Sequence, residues 1–356
     1  MTIVAVLSSL QACGTMYLAQ AARGQWQVMH AREPIDVVLA RKDTPEDLRA
    51  RLVEVQAARA FATRELGLPD NGSYRTYADL KRPFVVWNVV ATPEFSVEPQ
   101  RWCFPIAGCV AYRGYFSESR AESFANTLRN RGLDVMVGGV PAYSTLGRFS
   151  DPVLNTMLGY GDTELAAIIF HELSHQVVYV AGDSEFNEAF ATTVEQAGIE
   201  RWLELRGRAD LYQRYQTRRQ REQLFIALFT STRNRLADLY AKEMPAEVMR
   251  KRKRAIFAEL EDDIRTLEKK LGITSGYRRW MKEGLNNAHL ASVATYYDCV
   301  PGFQRLLDLH NGNLPAFYEA VRELARKPRA ERHAQLCSKP TPPAANPTVT
   351  STASTP

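Results

Sequence analysis

The chain has 356 residues, 45% apolar and 24% charged, with a formal net charge of +5. That length can bury one large core or two modest ones. The mild charge does not call for nucleic acid, and the densest basic run, 250–254, is soon followed by the acidic stretch 259–263, as on a solvated helix.

The first segment, residues 1–12, is a short apolar leader (Ile3 to Leu7, then Ser8, Ser9 and Leu10) ending just before Cys13. It has the pattern of a secretory signal, and Cys at the first mature position matches a bacterial lipoprotein signal. Gln11 in place of a small residue and the lack of a basic residue before Arg23 depart from that pattern. The leader nonetheless implies a periplasmic protein held to a membrane surface, the outer membrane included, through a lipidated Cys13. The alternative is a buried N-terminal helix with an incidental Cys. No apolar run is long enough to span a bilayer.

Residues 14–66 read as helical, and Asp43-Thr44-Pro45 opens a fresh helix within them. An N-terminal helical segment thus covers 13–75. The β-branched and aromatic run 84–91 predicts a strand, 106–113 a second and 133–140 a third, with a helix from Ser117 to Arg131 between the last two. Asp162 is placed to cap a helix from Thr163 to about Val180. Gly182-Asp183-Ser184 breaks it, and another helix starts near Glu185 and runs past Trp202. Residues 76–204 form the expected catalytic core. The region 205–337 is helical, beginning with two long charged helices divided at Met244-Pro245. In the second of these, Ile256, Leu260, Ile264, Leu267 and Leu271 make an apolar stripe suited to helix pairing. The Pro, Thr, Ser and Ala tail, 338–356, reads as disordered. The fold class is α+β and mostly helical.

Of the cysteines after Cys13, Cys103 and Cys109 can close a small loop and Cys299 and Cys337 a larger one, in an oxidising compartment. Four buried thiols are the alternative.

The chemistry is concentrated in His171-Glu172-Leu173-Ser174-His175. Histidines four apart on a helix share a face, so both imidazoles can hold one zinc ion while Glu172 faces the open position as general base. Zinc brings water within reach of deprotonation near neutral pH, and Glu172 can relay the proton to a leaving amine. A third ligand is needed, and Glu188 in Asn187-Glu188-Ala189 lies thirteen residues beyond His175.

The pair of motifs resembles the gluzincin metallopeptidases, such as thermolysin and aminopeptidase N, in which an Asn-Glu on the next helix completes the metal site. The resemblance implies a gluzincin-like core, a small sheet above the zinc helix and a peptide substrate. At the spacing usual for those families stands Glu195, the competing candidate, which also fits a role orienting His171. The stretches 109–116, 137–147, 170–180, 182–193, 286–290 and 295–296 resemble a bacterial family of aminopeptidase lipoproteins over nearly the whole mature chain. By analogy Tyr296 stabilises the oxyanion, with Tyr297, His289 and Tyr143 as alternatives. The strand ending in Gly138-Gly139-Val140 corresponds to the gluzincin edge strand that pairs with substrate, but it carries no carboxylate to grip an α-amine. A binding or assembly factor that keeps the fold without catalysis is the second reading, motivated by the long charged helices. Hydrolysis of another amide is the third.

Overall fold

The structure, a computed structural model, describes residues 2–104 and 108–337. The predicted tail, Ile106 and the side chain of Cys13 lie outside the described residues. Helix α1 (Thr2–His30) leads through β1 (Arg32–Pro34) to α2 (Ile35–Ala40) and α3 (Glu46–Arg64). The strands β2 (Thr76–Ala78), β3 (Val86–Thr92), β4 (Trp102–Phe104), β5 (Gly108–Val110) and β6 (Arg113–Tyr115) come next. Helix α4 (Glu118–Arg129) and strands β7 (Asp134–Val140) and β8 (Val153–Leu154) complete the α+β region. From there the chain is helical: α5 (Asp162–Ser174), α6 (Ser184–Leu205), α7 (Ala209–Tyr240), α8 (Ala246–Leu271) and α9 (Tyr277–Glu283). The last four helices are α10 (Asn287–Tyr297), α11 (Val300–Leu309), α12 (Leu314–Ala325) and α13 (Arg329–Leu336). No helix among the described residues is long and apolar enough to cross a membrane.

The first and third expected strands, β3 and β7, pair in an antiparallel sheet of order β6-β3-β7, with Trp87 opposite both Tyr115 and Gly139. Side chains of a strand alternate between faces. Trp87, Val89 and Ala91 therefore meet Ala121, Ala125 and Leu128 of α4, while Val90 joins Met136 against Ala288 and Ala291 of α10. The second expected strand lies instead in a separate hairpin: β5 pairs with β4, the chain breaks at Ala111-Tyr112, and only Arg113 of the expected run enters β6. The largest core lies between α3, α5, α6, α11 and α12, where Phe61 meets Trp202 edge to face at 4.9 Å and Phe186 meets Phe303 at 5.0 Å. In α8, Leu260 and Ile264 are fully buried against Phe225, Phe229 and Leu236 of α7, so the apolar stripe does serve helix pairing. Gly272, at φ +64°, stops α8 in the left-handed conformation that glycine adopts without steric cost.

Both cysteine pairs are disulfides, Cys103–Cys109 and Cys299–Cys337. The second ties the start of α11 to the end of α13.

Candidate metal centre

Helix α5 buries Leu165, Ala166, Ile169, Phe170 and Leu173 against α3 and α6. That orientation leaves His171, Glu172 and His175 on the wall of a large cleft. The close packing of α5 on α6 depends on Gly198, where an added Cβ would sit 2.8 Å from both the Phe170 ring and Leu66. The helix begins after Gly161 rather than Asp162 and ends at Ser174, six residues before the expected Val180. Tighter turn bonds take over there, Gln176 N–H to Leu173 O at 3.0 Å and Val177 N–H to Ser174 O at 2.9 Å. The run Val177-Val178-Tyr179-Val180 lacks the helix preference to continue.

The return to α6 is built on two side chains. Asp183 caps α6, accepting from Phe186 N–H, and Gly182 at φ +82° makes the reversal. Asn187 then clamps Val180, accepting from its N–H and donating to its carbonyl, both at 2.8 Å. The next residue, Glu188, is thereby delivered to the two histidines.

Ligand atoms of His171, His175 and Glu188 all lie within 4.8 Å of one another. His171 Nε2 is 3.2 Å from Glu188 Oε2, and His175 Nε2 is 3.9 Å from the same oxygen. Glu195 stands on the other edge of the His171 ring, 3.2 Å from Nδ1. The two candidates for third ligand thus occupy different places: Glu188 between the imidazoles, Glu195 behind one of them.

The charges are uneven. Burial pushes the Glu172 carboxyl up to about 7, against the pull of His171 and with the push of Glu188. Burial holds His175 down at about 4, so it is a neutral donor. Burial also disfavours charge on His171, but hydrogen bonds to Glu188 and Glu195 hold its pKa well above the ordinary imidazole range. Burial raises Glu188 while the His171 hydrogen bond brings it below the usual carboxylate range. The carboxyl groups of Glu172, Glu188 and Glu195 crowd around His171, an arrangement that a cation between the donors would favour. Two imidazole nitrogens and one carboxylate oxygen form a donor set that could hold a metal ion.

The cleft encloses about 1680 Å³. Tyr296, the first oxyanion candidate, lines it, and so does Tyr112, which sequence did not single out. Both phenols are pushed up by burial and by the charge of Glu188, so both remain protonated donors. Tyr112 sits in the break between β5 and β6, where no periodicity marks it. Of the alternatives, Tyr143 lines the cleft but donates to Gln25, and Tyr297 donates to Glu222 at 2.7 Å. His289 is buried away from the cleft, its Nδ1 3.1 Å from Asn286 and its ring against Trp280. At Gly139 the close approach is by the protein itself: a Cβ there would fall 2.2 Å from the Phe84 ring. The long helix α7 supplies Arg218, Arg219, Glu222 and Phe225 to the cleft wall, so it is part of this site rather than surplus to it.

A family model described as "Putative aminopeptidase" matches residues 16–336. The chain belongs to this aminopeptidase family. Its matched region takes in every residue of the centre just described, from Tyr112 to Tyr296. No curated protein and no solved structure matches the chain. Membership in the aminopeptidase family makes the chain a peptidase by family, with a peptide as the substrate class.

Proposed function

We propose that the chain is a zinc-dependent metallopeptidase with a gluzincin-like core, in which His171, His175 and Glu188 hold the metal and Glu172 is the general base. The observation that carries this reading is the convergence of those three donors beside a carboxyl whose pKa stands near neutrality. Zinc held by this set supplies Lewis acidity and makes water acidic enough to react near neutral pH. Glu172 takes the proton from the attacking water and gives it to the leaving amine, a task for which a pKa of about 7 is well matched. The hydroxyl of Tyr296, with that of Tyr112 beside it, donates to the oxyanion as charge develops on the substrate carbonyl. Glu195 holds the His171 ring in place through Nδ1. The family's description favours action at amino termini.

We further propose that the protein works in the periplasm, anchored by lipid at Cys13. The apolar leader before Cys13 and the two disulfides, which need an oxidising compartment, support this. Labelling with radioactive palmitate in cells should mark the wild type and not Cys13→Ser; equal labelling, or none in either, contradicts it.

The metal assignment is tested by mass spectrometry of protein purified without added metal. About one zinc per chain is expected for the wild type, with large loss in His171→Ala and Glu188→Ala. Less than about half an equivalent in the wild type, with no rise on adding zinc, would contradict it.

A further inference from the structure

A second cavity of about 310 Å³ adjoins the main cleft. The two share Asn88, Tyr112, Val140 and Tyr296 as lining residues, so the tyrosines that face Glu172 and Glu188 also form the wall between the cavities. Behind that wall the space is bounded by Val90, Ala111, Met136 and Trp280. Arg279 and Glu283 border it as an exposed ion pair, Arg279 Nε donating to Glu283 at 2.8 Å. The cavity equals roughly ten water volumes at about 30 Å³ each, room for a phenyl or branched aliphatic group and too little for a folded partner. A Lys or Asp side chain would leave water for the apolar lining of Val90, Ala111, Met136 and Trp280, at a desolvation cost.

We infer that this second cavity is the side-chain pocket for the substrate residue whose carbonyl is attacked, and that it selects a large apolar side chain. The inference rests on the peptidase reading above. The side chain passes between Tyr112 and Tyr296 while the carbonyl stays on the metal side of both hydroxyls. Each methylene buried in such a pocket is worth about 10- to 200-fold in discrimination.

The test is a panel of fluorogenic peptides carrying Gly, Ala, Leu, Met, Phe, Lys or Asp at that position, with the zinc-loaded full chain. Leu, Met and Phe should exceed Gly in kcat/KM by at least about tenfold. Ser292→Leu, which projects into the cavity from α10, should lower the Phe to Ala ratio by about tenfold or more, and Met136→Ala should raise it. As a readout independent of turnover, phenylalaninamide should change the emission of Trp280 in metal-depleted protein where glycinamide does not, and Trp280→Phe should remove that change. A flat or charge-seeking profile, ratios unmoved in both variants, or no Trp280 response overturns the pocket. Failure of the zinc-loaded wild type to cleave any peptide overturns the peptidase reading instead, and the Trp280 titration then still decides the pocket.

Discussion

Glu195 Oε2 lies 3.2 Å from Nδ1 of His171, on the opposite edge of the ring from Glu188 Oε2, which is 3.2 Å from Nε2. The ring is therefore fixed from both sides, and only the Nε2 side faces His175. A carboxylate behind a ligating imidazole sets its tautomer and orientation, and losing one typically weakens metal binding about 10- to 100-fold. Glu195→Ala should lower zinc affinity by that factor, measured by competition with a chelator, with Glu195→Gln intermediate because it still offers an acceptor. Glu188→Ala should cost far more. Equal losses in the two variants would mean that the carboxylates do not divide the work in this way.

Asn187 prepares the ground for Glu188. Its side chain is 2% exposed and satisfies both backbone groups of Val180. Asn187→Ala would leave a backbone donor and acceptor without their partner, at about 1–3 kcal/mol each where water cannot reach them. Thermal melts should show that loss, and zinc affinity should fall with it because the turn carrying Glu188 loosens. Asn187→Asp should recover only the half of the clamp that accepts from Val180 N–H.

Much of this site is legible in the sequence, for identifiable reasons. The spacing of His171 and His175 fixes their common face on any helix, and Asp183 and Gly182 announce a turn and a helix start. Sequence places the end of α5 too late because Val177 to Val180 continue the apolar character of the helix while the backbone has already tightened into turns. The choice between Glu188 and Glu195 could not be made from spacing, since it depends on the Asn187 clamp and on how closely Gly198 lets two helices approach. Tyr112 and the second cavity arise where the β5–β6 break meets α10. Contacts between residues so far apart in sequence leave no periodic trace.

Asp183 offers a stability test with a definite pH window. It is 1% exposed, accepts from Arg332 at 2.7 and 3.1 Å, and lies 2.7 Å from His333 Nε2. Burial alone would raise its pKa, but hydrogen bonds from His333 and Arg332 outweigh that and hold it at about 2. A carboxylate whose folded pKa is depressed stabilises fully above its unfolded value and loses that contribution as pH falls through the folded value. Stability from this group should thus be intact above about pH 4 and decline toward pH 2. Asp183→Ala leaves Arg332 buried without its partner and should cost about 3–5 kcal/mol at neutral pH in denaturant melts. Asp183→Asn should flatten the acid limb between those pH values; an unchanged limb would show that the carboxylate is not its source.

In the proposed reaction Glu172 moves the proton at a metal held by His171, His175 and Glu188. The most direct measurement compares wild type and Glu172→Gln for zinc content and peptide cleavage in the same preparations. Glu172→Gln should retain about one zinc per chain while kcat falls by about 10²- to 10⁴-fold, the usual share of a general base. Cleavage that persists at the wild-type rate in a zinc-loaded Glu172→Gln protein would contradict it.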